Sequence, residues 1–114
     1  MIPARVITVS DRCFAGTTED LSGPLAARLL ADHGIHASVV VVPDDIGAIR
    51  SAIQAAIGTG ARLVFTTGGT GLAPRDVTPE ATEPLLATRI DGLADAIRRR
   101  GETTVASAAL SRGL

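Results

Sequence analysis

Three short runs along the chain are almost unbroken in apolar and β-branched residues: Val6-Ile7-Thr8-Val9, Val39-Val40-Val41-Val42 and Leu63-Val64-Phe65-Thr66. Unbroken runs, unlike alternating ones, suit strands covered on both faces, as in a parallel sheet. Between them the apolar positions fall at helical spacing. Leu25 and Leu29 share a face in a segment with Ser22 as its expected cap and Pro24 in its first turn. Ile46, Ile49, Ile53 and Ile57 form a stripe that Gly58 and Gly60 then end. Thr78-Pro79-Glu80 reads as an N-cap, a first-turn proline and a first-turn acid. Ile90, Leu93, Ala94 and Ile97 mark a last amphipathic helix that closes on Arg98-Arg99-Arg100-Gly101, a basic end matched to the helix dipole. The order β-α-β-α-β-α-α predicts right-handed crossovers and a three-layer α/β/α sandwich with a mostly parallel sheet, one domain over residues 1–114.

Composition narrows the function classes. A chain of 114 residues with a net charge of -1 has no global pull toward nucleic acid or an anionic membrane. Phe14 and Phe65 are the only aromatic residues, too few for a base-stacking platform. Cys13 is the single cysteine, which excludes an internal disulfide and a multi-cysteine metal site. All 11 basic residues are arginine, so a lysine Schiff base and the lysine-dependent phosphate loop are excluded. The sequence shows neither a secretory leader pattern nor a long apolar span, and a soluble, cytoplasmic protein is expected.

In open α/β sheets, ligands bind beyond the carboxyl ends of the strands. Here those ends are Ser10-Asp11-Arg12, Pro43-Asp44-Asp45 and Thr67-Gly68-Gly69-Thr70-Gly71, the last extended by Pro74-Arg75-Asp76. Glycines at a strand-to-helix turn let backbone N–H groups converge on an anion, with Thr70 as a further donor. The segment is not GxGxxG, so a dinucleotide fold is not indicated. One of Asp44 and Asp45 is needed to cap the isoleucine-striped helix; the other is left over, and Asp76 has no capping duty because Thr78 takes it. Carboxylates beside a phosphate site call for a cation between them, and Mg²⁺ suits one or two carboxylates plus phosphate oxygens. Ser10 and Asp11 either line the same pocket or only cap the loop. Arg12 and Arg75 could meet phosphate or lie in solvent. His33 and His36 sit at the other end of the sheet, away from any metal role, and Cys13 reads as packing.

Thr66 to Gly71 followed by Pro74-Arg75-Asp76-Val77-Thr78-Pro79-Glu80-Ala81-Thr82 closely resembles the signature of the MogA/MoaB family of molybdenum cofactor biosynthesis, the molybdopterin adenylyltransferases. Ser10-Asp11-Arg12, Asp20 to Pro24, Pro43-Asp44 and Leu110-Ser111-Arg112-Gly113 match the same family in the same order, over essentially the whole chain. The resemblance implies a reaction: ATP with Mg²⁺ adenylylates the terminal phosphate of molybdopterin, giving adenylated molybdopterin and pyrophosphate before molybdate insertion by a downstream enzyme. It implies Asp44 and Asp76 as catalytic and Mg²⁺-binding residues. Ser10, Asp11, Gly68, Gly69, Thr70, Gly71, Ser111 and Arg112 fall on its substrate-binding positions. It also implies assembly as a homotrimer, or a hexamer in the MoaB branch. A carrier or scaffold that binds molybdopterin without adenylylating it is the alternative, and action on another nucleotide a third. Family members continue through a further strand, an Asn-Leu-Pro-Gly-Ser-Pro-like loop and a last helix, so the 114 residues are expected to be a fragment of a longer product.

Overall fold

Val6, Ile7, Thr8 and Val9 are all buried, because the strand that carries them is the middle of the sheet. The computed structural model describes residues 1–114. Strand β1 (Ile2–Val9) lies between β2 (Ile35–Val42) and β3 (Leu63–Thr67), all parallel, in the order β2-β1-β3. Val39, Val6 and Phe65 stand abreast across the three strands. Helix α2 (Ser22–Ala31) joins β1 to β2, and α3 (Ile46–Gly58) joins β2 to β3. The chain steps one way from β1 to β2 and back past β1 to β3, so crossovers of one hand put the two helices on opposite faces. The side chains of β1 follow that division. Ile7 and Val9 pack with Ile49 and Ile53 of α3, whereas the Thr8 hydroxyl donates to Asp20, just ahead of α2. This is the α/β/α layering expected from the sequence. Each fully buried aliphatic side chain of this core contributes about 1.5–3 kcal/mol.

Short elements complete the chain: α1 (Asp11–Ala15), α4 (Thr78–Thr82), a 3-10 turn over Glu83–Leu85, α5 (Asp91–Glu102) and a 3-10 turn over Ala106–Leu110. No helix is long and apolar enough to cross a membrane.

Several local expectations are corrected. Ser22 is the first residue of α2 rather than its cap, and the Gly23 N–H donates instead to Asp20 Oδ1 at 3.0 Å. A carboxylate two residues ahead of the helix outcompetes the serine hydroxyl as an acceptor. Thr78 likewise opens α4 without capping it; its hydroxyl donates to the Gly68 carbonyl at 2.9 Å. The third strand is not covered on both faces, since Leu63 and Phe65 remain 36% and 39% exposed. On α5 only Ala94 of the predicted stripe is buried, while Ile90, Leu93 and Ile97 face outward. Arg98 does more than match the helix dipole: it turns back to donate to the carbonyls of Ser111 and Gly113 and pairs with Asp95.

Candidate functional site

The turn after β3 crosses directly over the end of β1, at the point where the strand order reverses. Gly68 and Gly69 adopt φ of 94° and 68°, a left-handed region that favours glycine. A side chain at Gly68 would run into the Val9 carbonyl, and one at Gly69 into the Thr78 hydroxyl. Glycine is therefore required twice over, by torsion and by space.

The polarity of this turn decides what it can bind. Every carbonyl from Gly68 to Gly71 is taken by the protein. Gly68 O accepts from the Thr78 hydroxyl, Gly69 O from Thr78 N, Thr70 O from Arg112 N, and Gly71 O from Arg112 Nε. The N–H groups of Gly69, Thr70 and Gly71 donate to no acceptor within the chain. A loop with its acceptors engaged and its donors free has the polarity to receive an anion.

Two carboxylates stand on either side of it. Asp44 Oδ1 is 3.3 Å from the position a Gly69 Cβ would occupy, and Asp76 Oδ2 lies alongside Gly71. Each is held by a backbone N–H on one oxygen: Asp44 Oδ2 accepts from Asp11 N at 3.0 Å, and Asp76 Oδ2 from Ala73 N at 3.0 Å. The division of labour at Asp44-Asp45 falls as expected, with Asp45 capping α3 through Ala48 N at 2.8 Å and Asp44 left over. No three His, Cys, Asp or Glu side chains converge to hold a metal on their own.

Asp11 and Asp44 exchange hydrogen bonds, since Asp44 N donates to Asp11 Oδ1 at 2.9 Å in return. Arg75 reaches across to both, donating from Nε to Asp11 Oδ2 at 2.7 Å and from its terminal nitrogen to Asp44 O. The Arg75 guanidinium, and then the Asp44 backbone N–H, hold the Asp11 carboxyl below its usual range; Asp11 in turn raises Arg75. Asp11 is thus a brace for the loop of Asp44. Ser10 takes the capping alternative: its hydroxyl oxygen accepts from Cys13 N at 3.2 Å at the start of α1.

On the other flank the C-terminal residues reach the turn. Ser111 Oγ donates to Thr70 Oγ1 at 3.2 Å, beside the Arg112 bonds already named. Arg112 also donates to Asp76 O at 2.8 Å and pairs with Glu80 at 2.9 Å. A cleft of about 270 Å³ opens next to the turn, lined by hydroxyls of Thr67, Thr70, Thr78 and Ser111 together with Arg98. Asp44 and Asp76 lie outside its lining. Arg12 is exposed, Cys13 is a free thiol, and His33 and His36 sit at the far end of the sheet. The bracing roles of Arg75, Arg98 and Glu80 carried no sequence signal, because each depends on a partner distant along the chain or on a loop conformation.

Residues 5–114 match a family model described as "Probable molybdopterin binding domain". The chain is 46% identical over 110 residues to a molybdenum cofactor biosynthesis bifunctional protein of Synechococcus elongatus, covering 96% of this chain and 34% of that protein. It is 48% identical over 80 residues to a molybdopterin adenylyltransferase of Pyrococcus furiosus, covering 70% of this chain and 47% of the relative. It therefore spans less than half the length of either relative. A crystal structure of a molybdopterin biosynthesis protein from Mycobacterium abscessus superimposes with a TM-score of 0.90 at 47% identity, over 97% of this chain and 71% of that one.

Proposed function

We propose that this chain, which belongs to the family described as a probable molybdopterin binding domain, carries an adenylyl-transfer site of molybdenum cofactor biosynthesis. In that reaction the terminal phosphate of molybdopterin attacks the α-phosphate of ATP, giving adenylated molybdopterin and pyrophosphate. The observation that carries this reading is the turn from Gly68 to Gly71, whose carbonyls are engaged while the N–H groups of Gly69, Thr70 and Gly71 remain free. Preorganised N–H groups of this kind stabilise the charge that develops on a transferring phosphoryl group. The attacking phosphate is already anionic, so positioning and charge neutralisation supply catalysis without a dedicated base.

The donor set fits Mg²⁺. Asp44 and Asp76 flank the loop, each with one oxygen tied to a backbone N–H, and no third protein ligand completes a shell. A hard cation that keeps water and phosphate oxygens among its ligands requires that arrangement. When bound, Mg²⁺ supplies charge neutralisation across the ATP phosphates. Asp11 and Arg75 hold the loop of Asp44 in place. The cleft beside Thr70 and Ser111 offers hydroxyl partners for the polar edges of a pterin. Assembly as a homotrimer or hexamer, a cytoplasmic location and delivery of the product to a molybdate-inserting enzyme belong to the same reading.

The test is product analysis after incubation with molybdopterin, ATP and Mg²⁺. Adenylated molybdopterin should form with the native sequence. With Asp44→Asn or Asp76→Asn it should fall by about 10²-fold or more, while circular dichroism stays native. Molybdopterin bound without any ATP consumed would instead make the domain a carrier.

A further inference from the structure

Arg112 falls among the substrate-binding positions expected from the sequence, yet its nitrogens are already committed to the protein. Nε donates to Gly71 O at 2.9 Å, one terminal nitrogen to Asp76 O at 2.8 Å, and the other to both Glu80 carboxylate oxygens at 2.9 and 3.1 Å. Its own backbone N–H donates to Thr70 O at 2.8 Å. From these bonds we infer that Arg112 is a positioning residue that fixes the Gly71 end of the anion-binding turn against the Asp76 loop, and not a phosphate ligand.

The physical reason lies in how a peptide unit turns. The Arg112 backbone N–H on the Thr70 carbonyl fixes the peptide plane that carries the Gly71 N–H, and its Nε on the Gly71 carbonyl fixes the next plane along. The planes that carry the Gly69 and Thr70 N–H groups are held by Thr78, through the Gly68 and Gly69 carbonyls, so Thr78 secures one end of the turn and Arg112 the Gly71 end. The same guanidinium grips the carbonyl of Asp76, so the turn and the second carboxylate are held as one unit. Glu80, in the first turn of α4, neutralises the guanidinium and holds it there. Only a planar fork reaches three differently placed acceptors at once; a lysine ammonium is a compact point charge and cannot. Guanidinium geometry, not positive charge alone, is what the turn uses.

This inference rests on the adenylyl-transfer reading for its kinetic arm and stands apart from it in its structural arm. Arg112→Lys and Arg112→Ala would be compared with the native chain, without ligand by amide hydrogen exchange, and with ATP, Mg²⁺ and molybdopterin by steady-state kinetics. The amides of Ala73, Asp76 and Thr78, all hydrogen-bonded within the loop, should exchange about tenfold faster in both variants, with β1 and β2 unchanged. The kcat should fall about 100-fold, and KM for ATP should stay within about threefold. Lysine should do no better than alanine. If lysine restores the rate, or if KM rises while loop exchange stays native, Arg112 is a phosphate ligand and the inference fails. Native behaviour of both variants in both arms overturns it as well. If Arg112→Ala does not fold, Arg112→Lys, which keeps the apolar stem, decides both arms. Absence of adenylated product with the native chain counts against the proposed reaction, and the exchange arm still decides the brace.

Discussion

The two carboxylates that flank the glycine turn are held in different ways. Asp44 sits two residues beyond β2 and is braced by its neighbour across the sheet: it exchanges backbone-to-carboxylate hydrogen bonds with Asp11, two residues beyond the adjacent strand β1. Its support follows from the strand pairing itself. Asp76 sits in a longer loop after β3, and its main chain is gripped from the C-terminal segment by Arg112. One flank is fixed where two strands end side by side, with Arg75 laid across them, and the other is tied to the C-terminal segment. Precision at a site can thus come from strand register on one side and from an added strap on the other.

The largest effect should come from a change in the turn that lies between the two flanks. Gly69→Ala places a methyl group against Thr78 and Asp44 at a positive φ. Denaturant unfolding should register a loss of about 2–4 kcal/mol, and adenylylation should fall about 10³-fold. A Gly69→Ala protein with native stability and turnover would show that the turn between the flanks does not need its glycine geometry. The next effect sharpens the Asp44 flank by touching its neighbour. Asp45→Ala removes the cap of α3 and should cost about 1 kcal/mol in a thermal or denaturant melt. Turnover should stay within about threefold of native, because Asp45 faces its own helix rather than the loop. A collapse of activity in Asp45→Ala would erase the distinction between the paired aspartates.

The smallest effect is electrostatic. Arg75 and Asp11 are both well exposed, so water screens their pairing. The Asp11 carboxyl is lowered in the folded state by Arg75 and by the Asp44 N–H. The pair's contribution is therefore fully present above the unfolded aspartate value of about 3.9 and is lost as pH falls through the lower folded value. In Arg75→Ala the Asp11 titration, followed by carboxyl NMR shifts, should move upward toward the ordinary range. No movement would mean that the sheet alone braces Asp44.

Much of this was readable from residue types in order. The β-branched runs located all three strands, and the isoleucine stripe located α3 with its buried Ile49 and Ile53. The surplus aspartate at Asp44-Asp45 and the glycine turn were expected at one edge of the sheet, and the fold brings them together there. What stayed hidden followed one physical pattern. Where two groups compete for one partner, the outcome depends on distances that sequence does not carry. Asp20 displaced Ser22 at the head of α2, and Gly68 drew the Thr78 hydroxyl away from α4. The covering of β3 was overestimated because an apolar run says that a strand prefers contact, not that a neighbour lies within reach. The brace formed by Arg112 links positions 41 residues and 36 residues apart, and no local pattern encodes such a pairing.

The sheet order also sets a timetable for synthesis. The central strand, β1, leaves the ribosome before either flanking strand, and its first partner is β2, with Ile2 opposite Ile35. The pairing of Ala4 with Leu63 must wait for a much longer stretch of chain. Arg112 arrives later still. The glycine turn, which needs Val9, β3 and Arg112 together, is consequently completed well after the pairing of β1 with β2. An interrupted translation product could hold a partly formed sheet and still have no working site.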